Sequence, residues 1–409
     1  MGDRLALKGW RVVVGDGMEV LSEYYVVLKG TSITRICSSR PVNVGRVVKL
    51  DGCAIIPGLI NAHVHLGDAG FKDVGIGLGL NELFKPYSGL KHKLLSSCSD
   101  GYLVEAMKKA LLDMMKGGIT LFADFREGGV GGVNLLLRAL KDVRIKGLIL
   151  GRVDYAFSLR RLRVNKGGYP SRALRVLKKL VKVAHGVAPS GANELTDDAL
   201  KQYAEAAKGL LKAIHVSENP MGRALSVRRT GLTEVERVLR YFKPSFLVHL
   251  TYASDEELRM VYDHGVPVVC CPRANALLGL KLPPIPMLLK LGVCVALGTD
   301  NVMINPPNMF REMEFVLKAY SSLGFKLQPR EVLKLATING AKALGLGGET
   351  GSIDAGKRAD LTVIDFSDEN LSYSHDVVAS IVNRAEAKNV KAVLVDGGVA
   401  YDRDSELEL

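Results

Sequence analysis

The sequence predicts an α/β fold, a (β/α)8 barrel of the TIM type carrying a small β-sandwich domain formed from both termini. Three observations predict it. Two β-rich flanks enclose a middle of different character. That middle alternates short apolar runs with amphipathic stretches. Histidines and an aspartate then recur at the ends of the apolar runs. The expected division is an N-terminal part of the β-domain over 1–55, the barrel over 56–348, and a C-terminal part of the β-domain over 349–409.

In chain order, RVVVGDG, YYVVLKG, SITRICS and GRVVKLDGCAII are β-branched runs broken by Gly, Asp or Ser, the chemistry of strands and turns. The barrel strands are expected at Leu59–His63, Ile119–Phe125, Gly147–Val153, Val181–Val187, Ala213–Val216, Ser245–His249, Val266–Cys270 and Val293–Leu297. Between them, YLVEAMKKALLDMMKGG, TDDALKQYAEAAKGL and SDEELRMVYDHG have helical periodicity, and Ser254 with Glu257 forms a capping box. An open doubly wound sheet shares this alternation, so periodicity alone does not choose between the two. ADLTVIDF and VKAVLVDGGVAY return to strand character at the carboxyl end.

The composition excludes several classes. With 47% hydrophobic and 24% charged residues in 409, the chain is globular. The net charge of +12 is spread along helical stretches, as at Lys178, Lys179 and Lys182, and aromatics are 6%. This argues for a solvated basic surface and no nucleic-acid partner. No apolar run approaches the roughly 20 residues of a membrane span. The six cysteines form no CxxC pair, and no secretory signal is visible. A cytoplasmic enzyme acting on a small molecule is expected, with room for a homo-oligomer.

The chemistry lies in the polar residues at the strand ends. His63 and His65 are two apart on one strand, so both imidazoles point to the same side. His215, His249 and Asp300 end the fifth, sixth and eighth strands, the face on which barrel enzymes build their sites. Imidazoles and a carboxylate suit one divalent ion, Zn2+ or Fe2+, with a position left for water. His92, His185, His264 and His375 lack this arrangement and read as structural or exposed.

PGLINAHVHL at Pro57–Leu66, IHVSE at Ile214–Glu218, VHLTYASDEEL at Val248–Leu258, CPRAN at Cys271–Asn275 and LGTDN at Leu297–Asn301 resemble the amidohydrolase superfamily. Within it they are similar to the branch of cytosine deaminases, chlorohydrolases and adenosylhomocysteine deaminases. The resemblance implies that His63, His65, His215 and Asp300 hold the metal, that Glu218 shuttles protons, and that His249 orients the attacking water. Glu218, His249 and Asp300 would then carry catalysis. The lysine that bridges two metals in binuclear relatives has no counterpart in AHGVAPSG at Ala184–Gly191, which implies one ion. A cation there lowers the pKa of its water from about 15.7 towards about 7, supplying hydroxide for attack on a ring carbon that bears an amino group. The expected function is hydrolytic deamination of an aminated purine, pyrimidine or nucleoside. Cyclic amide hydrolysis of the imidazolonepropionase kind is the alternative, and a non-catalytic scaffold is a third reading.

Substrate contacts are expected from Asp68, Arg126, Glu127, Arg273, Asn301 and Asn305. Asp68 lies in GDAGFKDVGIGLG, a glycine-rich stretch that reads as a mobile loop over the pocket. Arg126 and Glu127 lie in DFREGGVGGV, which reads either as an anion site at a helix start or as a glycine turn with a structural ion pair. Arg273 would pair with a substrate anion or with a neighbouring acid. GSIDAGKR fits the spacing of a phosphate loop, but Arg358 stands where Ser or Thr is required and a strand follows, so it reads as a turn.

Overall fold

The computed structural model describes residues 4–85 and 88–405; residues 1–3 and 406–409 of the expected terminal domain lie outside these. Strands β1 (Arg4–Val14), β2 (Glu19–Lys29), β3 (Ser32–Cys37) and β4 (Arg46–Pro57) open the chain. The next nine are β5 (Leu59–His65), β6 (Ile119–Arg126), β7 (Lys146–Gly151), β8 (Gly186–Val187), β9 (Leu211–Val216), β10 (Phe246–His249), β11 (Val268–Cys270), β12 (Val295–Leu297) and β13 (Asp300–Asn301). Strands β14 (Leu361–Asp365), β15 (Val390–Val395) and β16 (Gly398–Asp402) close it.

The terminal strands form one seven-stranded sheet in the order β16-β15-β14-β4-β1-β2-β3. Its pairs are antiparallel except β1 with β4. Alternation along these strands separates two apolar faces. Leu7, Val26, Ile33, Ile55, Leu361 and Leu394 make a core of their own, while Val13, Ala54, Ile56 and Ile364 join the large core of the barrel. Chain ends 300 residues apart therefore share one layer. GSIDAGKR is a turn into β14, with Arg358 bridging to Ser32.

The middle strands run parallel in the order β12-β11-β10-β9-β8-β7-β6-β5-β13. β5 and β6 are buried at every position, as strands covered on both faces must be. Two expectations are corrected. Only Gly186–Val187 of Val181–Val187 is strand. The preceding helix Ser171–Leu180 buries Ala173, Leu177 and Leu180, and Val181 and Val183 serve the turn that reverses the chain. The eighth strand is also interrupted, with β12 beside β11 and β13 beside β5. The intervening Gly298 and Thr299 amides donate to Cys270 O and His63 O at 3.0 and 2.9 Å, which closes the ring. Position 298 must be glycine, because a Cβ there would sit 2.6 Å from His63 Cβ and 2.8 Å from its carbonyl oxygen. That close approach brings Asp300 to the histidines.

The expected helices form at Asp100–Lys116, Asp197–Ala206 and Asp255–Asp263. Ser254 accepts from Glu257 N at 3.4 Å and its own amide donates to Glu257 Oε2 at 2.8 Å, a cap worth about 1 kcal/mol. No helix among the described residues is long and apolar enough to cross a membrane.

Candidate metal centre and catalytic cavity

At the carboxyl end of the parallel strands, residues distant in sequence converge. His63 and His65 project from β5, with ring centroids 4.9 Å apart. His215 from β9 lies 5.0 Å from His63 and 5.5 Å from His65, and His249 from β10 lies 5.4 Å from His215. Asp300 Oδ1 sits 3.4 Å from His63 Nε2 and 3.6 Å from His65 Nε2. Potential donor atoms of His63, His65 and His215, and of His63, His249 and Asp300, fall within 4.8 Å of one another. Ser217, His249 and Asp300 have φ of 52°, 77° and 63°. Left-handed backbone at non-glycine residues costs on the order of 1–3 kcal/mol each and concentrates at functional sites. Here it occurs where the chain leaves the strands.

The chemistry of the donors fits a divalent cation. His65 Nδ1 lies 3.1 Å from Phe125 O and His215 Nδ1 lies 2.6 Å from Ser190 O. A carbonyl on Nδ1 fixes the proton there and leaves Nε2 as a lone-pair donor. Both ring nitrogens of buried His63 and His249 have no hydrogen-bond partner among the described residues, an arrangement that costs free energy unless something else satisfies them. Burial and neighbouring cations hold His65 neutral, with a pKa of about 3, and burial lowers His249 to about 4. Burial alone would raise Asp300, but the His63 ring 3.4 Å away and the other imidazoles hold it well below the usual carboxylate range.

These groups floor a cavity of about 380 Å³, large enough for a small heterocycle. Glu218 enters it from the loop after β9, its Oε1 3.6 Å from His249 Nε2. Burial first, then Asp300, Glu194 and Glu234, pushes its pKa well above the usual value.

The expected substrate contacts divide. Glu127 and Asn301 line this cavity, whereas Asp68, Arg126, Arg273 and Asn305 do not. Asp68 is fully buried. It accepts from Asn301 Nδ2 at 2.7 Å and Met303 N at 3.0 Å, which anchors its loop. The stretch after His65 begins as a buried 3-10 turn, Leu66–Phe71, and not as an open loop. Arg273 faces Glu312 at 3.3 Å, and Asn305 Nδ2 donates to Glu312 and to Thr299 O. A buried carboxylate needs those donors, and both side chains turn to it and not to the cavity. Arg126 pairs with Glu127 at 2.7 Å, the structural ion pair of the glycine turn. Gly132 is required there, since its Cβ would fall 1.7 Å from Glu127 O.

Sequence reasoning missed part of the wall. Lys91, buried, reaches Glu127 at 2.5 Å and Asp68 at 3.3 Å. His92, expected to be structural, lines the cavity, as do Arg152, Glu194, Arg229 and Glu234. A lysine among leucines in GLKHKLLSS carries no motif, and only an apolar helix face that includes Lys91 could have signalled it.

The family model for the amidohydrolase family matches residues 54–400. The chain belongs to the amidohydrolase family. It is accordingly a metal-dependent hydrolase. It is 39% identical over 347 residues to a protein named "Putative aminohydrolase" from Methanothermobacter thermautotrophicus, covering 84% of this chain and 85% of the relative. It is 29% identical over 398 residues to the 5-methylthioadenosine/S-adenosylhomocysteine deaminase of Thermoanaerobacter pseudethanolicus, covering 92% and 88%. In fold it matches the zinc-bound crystal structure of an adenosine deaminase from Xanthomonas campestris, with a TM-score of 0.86, 21% identity, and 100% and 95% of the two chains covered.

Proposed function

We propose that this amidohydrolase deaminates an aminated nitrogen heterocycle, with a purine nucleoside as the leading substrate class. The observation that carries the reading is Glu218 beside His249 in the small cavity that the cluster of imidazoles and Asp300 floors. The names of the deaminase relatives support the substrate class.

His63, His65, His215 and Asp300 would hold one divalent ion, zinc or iron(II). When bound, that ion supplies Lewis acidity, which makes a coordinated water nucleophilic near neutral pH. The protein's own groups handle the protons. Water adds to the ring carbon that bears the amino group. Glu218, whose protonated form burial favours, gives a proton to the adjacent ring nitrogen and takes one back from the water. Asp300 passes the remaining proton to the departing amine, which leaves as ammonia. His249, neutral and buried, orients the attacking water. Glu127 and Asn301 are the wall residues placed to touch substrate. The division of the chain at 55/56 and 348/349 and a cytoplasmic location belong to this reading.

The test is ammonia release from a panel of aminated purines, pyrimidines and nucleosides by zinc- and iron-loaded protein, with bound metal quantified per chain. Release from one class, lost in Glu218→Gln, is expected. A metal-loaded chain that releases no ammonia from any member would overturn the proposal.

A further inference from the structure

A second cleft lies behind the catalytic cavity and shares only Glu127 and His92 with it. It measures about 550 Å³, within the range of small-molecule sites. Its body is apolar, built from Leu95, Leu103, Met107 and Leu135, and its floor is the glycine start of the helix Gly129–Leu140. Gly131 faces open space, since a Cβ there would meet nothing within 4 Å.

Arg126 stands at the polar end. It is 4% exposed and lines this cleft, not the catalytic one. A guanidinium carries five N–H donors. Arg126 Nη2 donates to Glu127 Oε2 at 2.7 Å, and Nη1 has only the Met107 thioether at 3.1 Å, a weak acceptor on the cleft wall. Nε is sealed in the interior, 3.6 Å from Asp124 Oδ1, so the donor left to the cleft is Nη1 beside Met107. A buried cationic donor that meets only a thioether is poorly satisfied, and Gly128, Gly131 and Gly132 of the helix start line the same space.

We propose that this cleft is a second ligand site, separate from the catalytic cavity, for a small apolar molecule carrying an acceptor oxygen, a carbonyl or a carboxylate, that meets Arg126. The apolar walls take the body of the ligand, and the oxygen takes Nη1 in place of the weak Met107 acceptor. Because Arg126 holds Glu127, and Glu127 Oε1 lies 3.4 Å from His65 Nδ1, an occupant sits one ion pair away from the histidine cluster.

The experiment is isothermal titration calorimetry of the full chain with 4-phenylbutyrate and, separately, 4-phenylbutyramide, repeated on Gly131→Leu and Met221→Trp. Gly131→Leu fills the cleft from a position that does not line the catalytic cavity, and leucine suits a helix. Met221→Trp fills the catalytic cavity instead. Saturable binding that weakens at least tenfold in Gly131→Leu and persists in Met221→Trp is expected. Tighter binding of the acid would assign a carboxylate, and tighter binding of the amide a neutral carbonyl. No binding by either probe, or binding untouched by Gly131→Leu and lost in Met221→Trp, overturns the proposal. Since neither arm reads ammonia, its failure is distinguishable from failure of the deaminase reading.

Discussion

The floor and the wall of the catalytic cavity are built by different means. The floor is made at the ends of strands. His63, His65, His215, His249 and Asp300 each occupy a fixed register in a parallel sheet, and carbonyls of neighbouring segments orient two of the rings. The wall is made by loops and short helices. Lys91, Glu127, Asp68 and Asn301 form a buried chain of ion pairs and hydrogen bonds whose members come from four separate segments. Backbone hydrogen bonds impose the geometry of the floor, and side chains negotiate the geometry of the wall.

If that contrast holds, the largest effect belongs to the floor. His215→Ala removes a donor from the centre of the cluster, and elemental analysis after dialysis should find metal and ammonia release both lost. Retention of full metal occupancy would show that the cluster is not the metal centre. Glu218→Gln should separate chemistry from metal binding. Ammonia release should fall by about 10²–10⁴ while metal content stays at the parent level, because Glu218 approaches His249 and is not among the clustered donors.

The same contrast explains what was legible in the sequence. A strand alternates with a period of two, so His63-Val64-His65 announces two side chains on one face without further information. Gly298, two residues before Asp300, carries no such register signal, and only the structure shows it pressed against His63. Loop residues have no such register. Asp68, Arg273 and Asn305 look like substrate contacts because they follow the right strands, yet each serves a buried partner supplied from elsewhere in the chain: Asn301 and Met303 for Asp68, Glu312 for the other two. Those partners are 233, 39 and 7 positions away, and no local pattern reports them. The short fourth strand was misread for a related reason. Val181 and Val183 are β-branched, but the turn after the helix outranks their propensity.

A wall substitution that touches the floor should give an intermediate effect. Glu127 lies between Lys91 and His65, and burial, which would raise its pKa, is overcome by Lys91, His65 and Arg126, which hold it well below the usual range. Glu127→Gln keeps the shape and removes the charge. Metal affinity, measured by competition with a chelator, should weaken by about tenfold, the low end for groups that orient a ligand. An unchanged affinity would mean that Phe125 O alone orients His65.

The last effect is one of stability alone, and it tests whether the wall tolerates an unpaired charge. Burial pushes Glu234 up to about 7, with Arg237 opposing and Glu257 reinforcing the shift, and one of its oxygens has no partner. The folded chain therefore keeps a proton on Glu234 between about pH 4.5 and 7 that the unfolded chain releases. Its contribution to stability falls as the pH rises through that window and stays low above it, by about 3 kcal/mol at most. Glu234→Gln is neutral at every pH and retains an oxygen for the Ser217 amide. Its Tm should match the parent near pH 4.5, rise above it between pH 5 and 7, and hold a constant lead at pH 8. Glu194 and Glu312, also raised to about 7, are present in both proteins and cancel in the difference. A lead that is independent of pH would mean that Glu234 is solvated in the folded chain, and that the wall, like the floor, is built to carry charge.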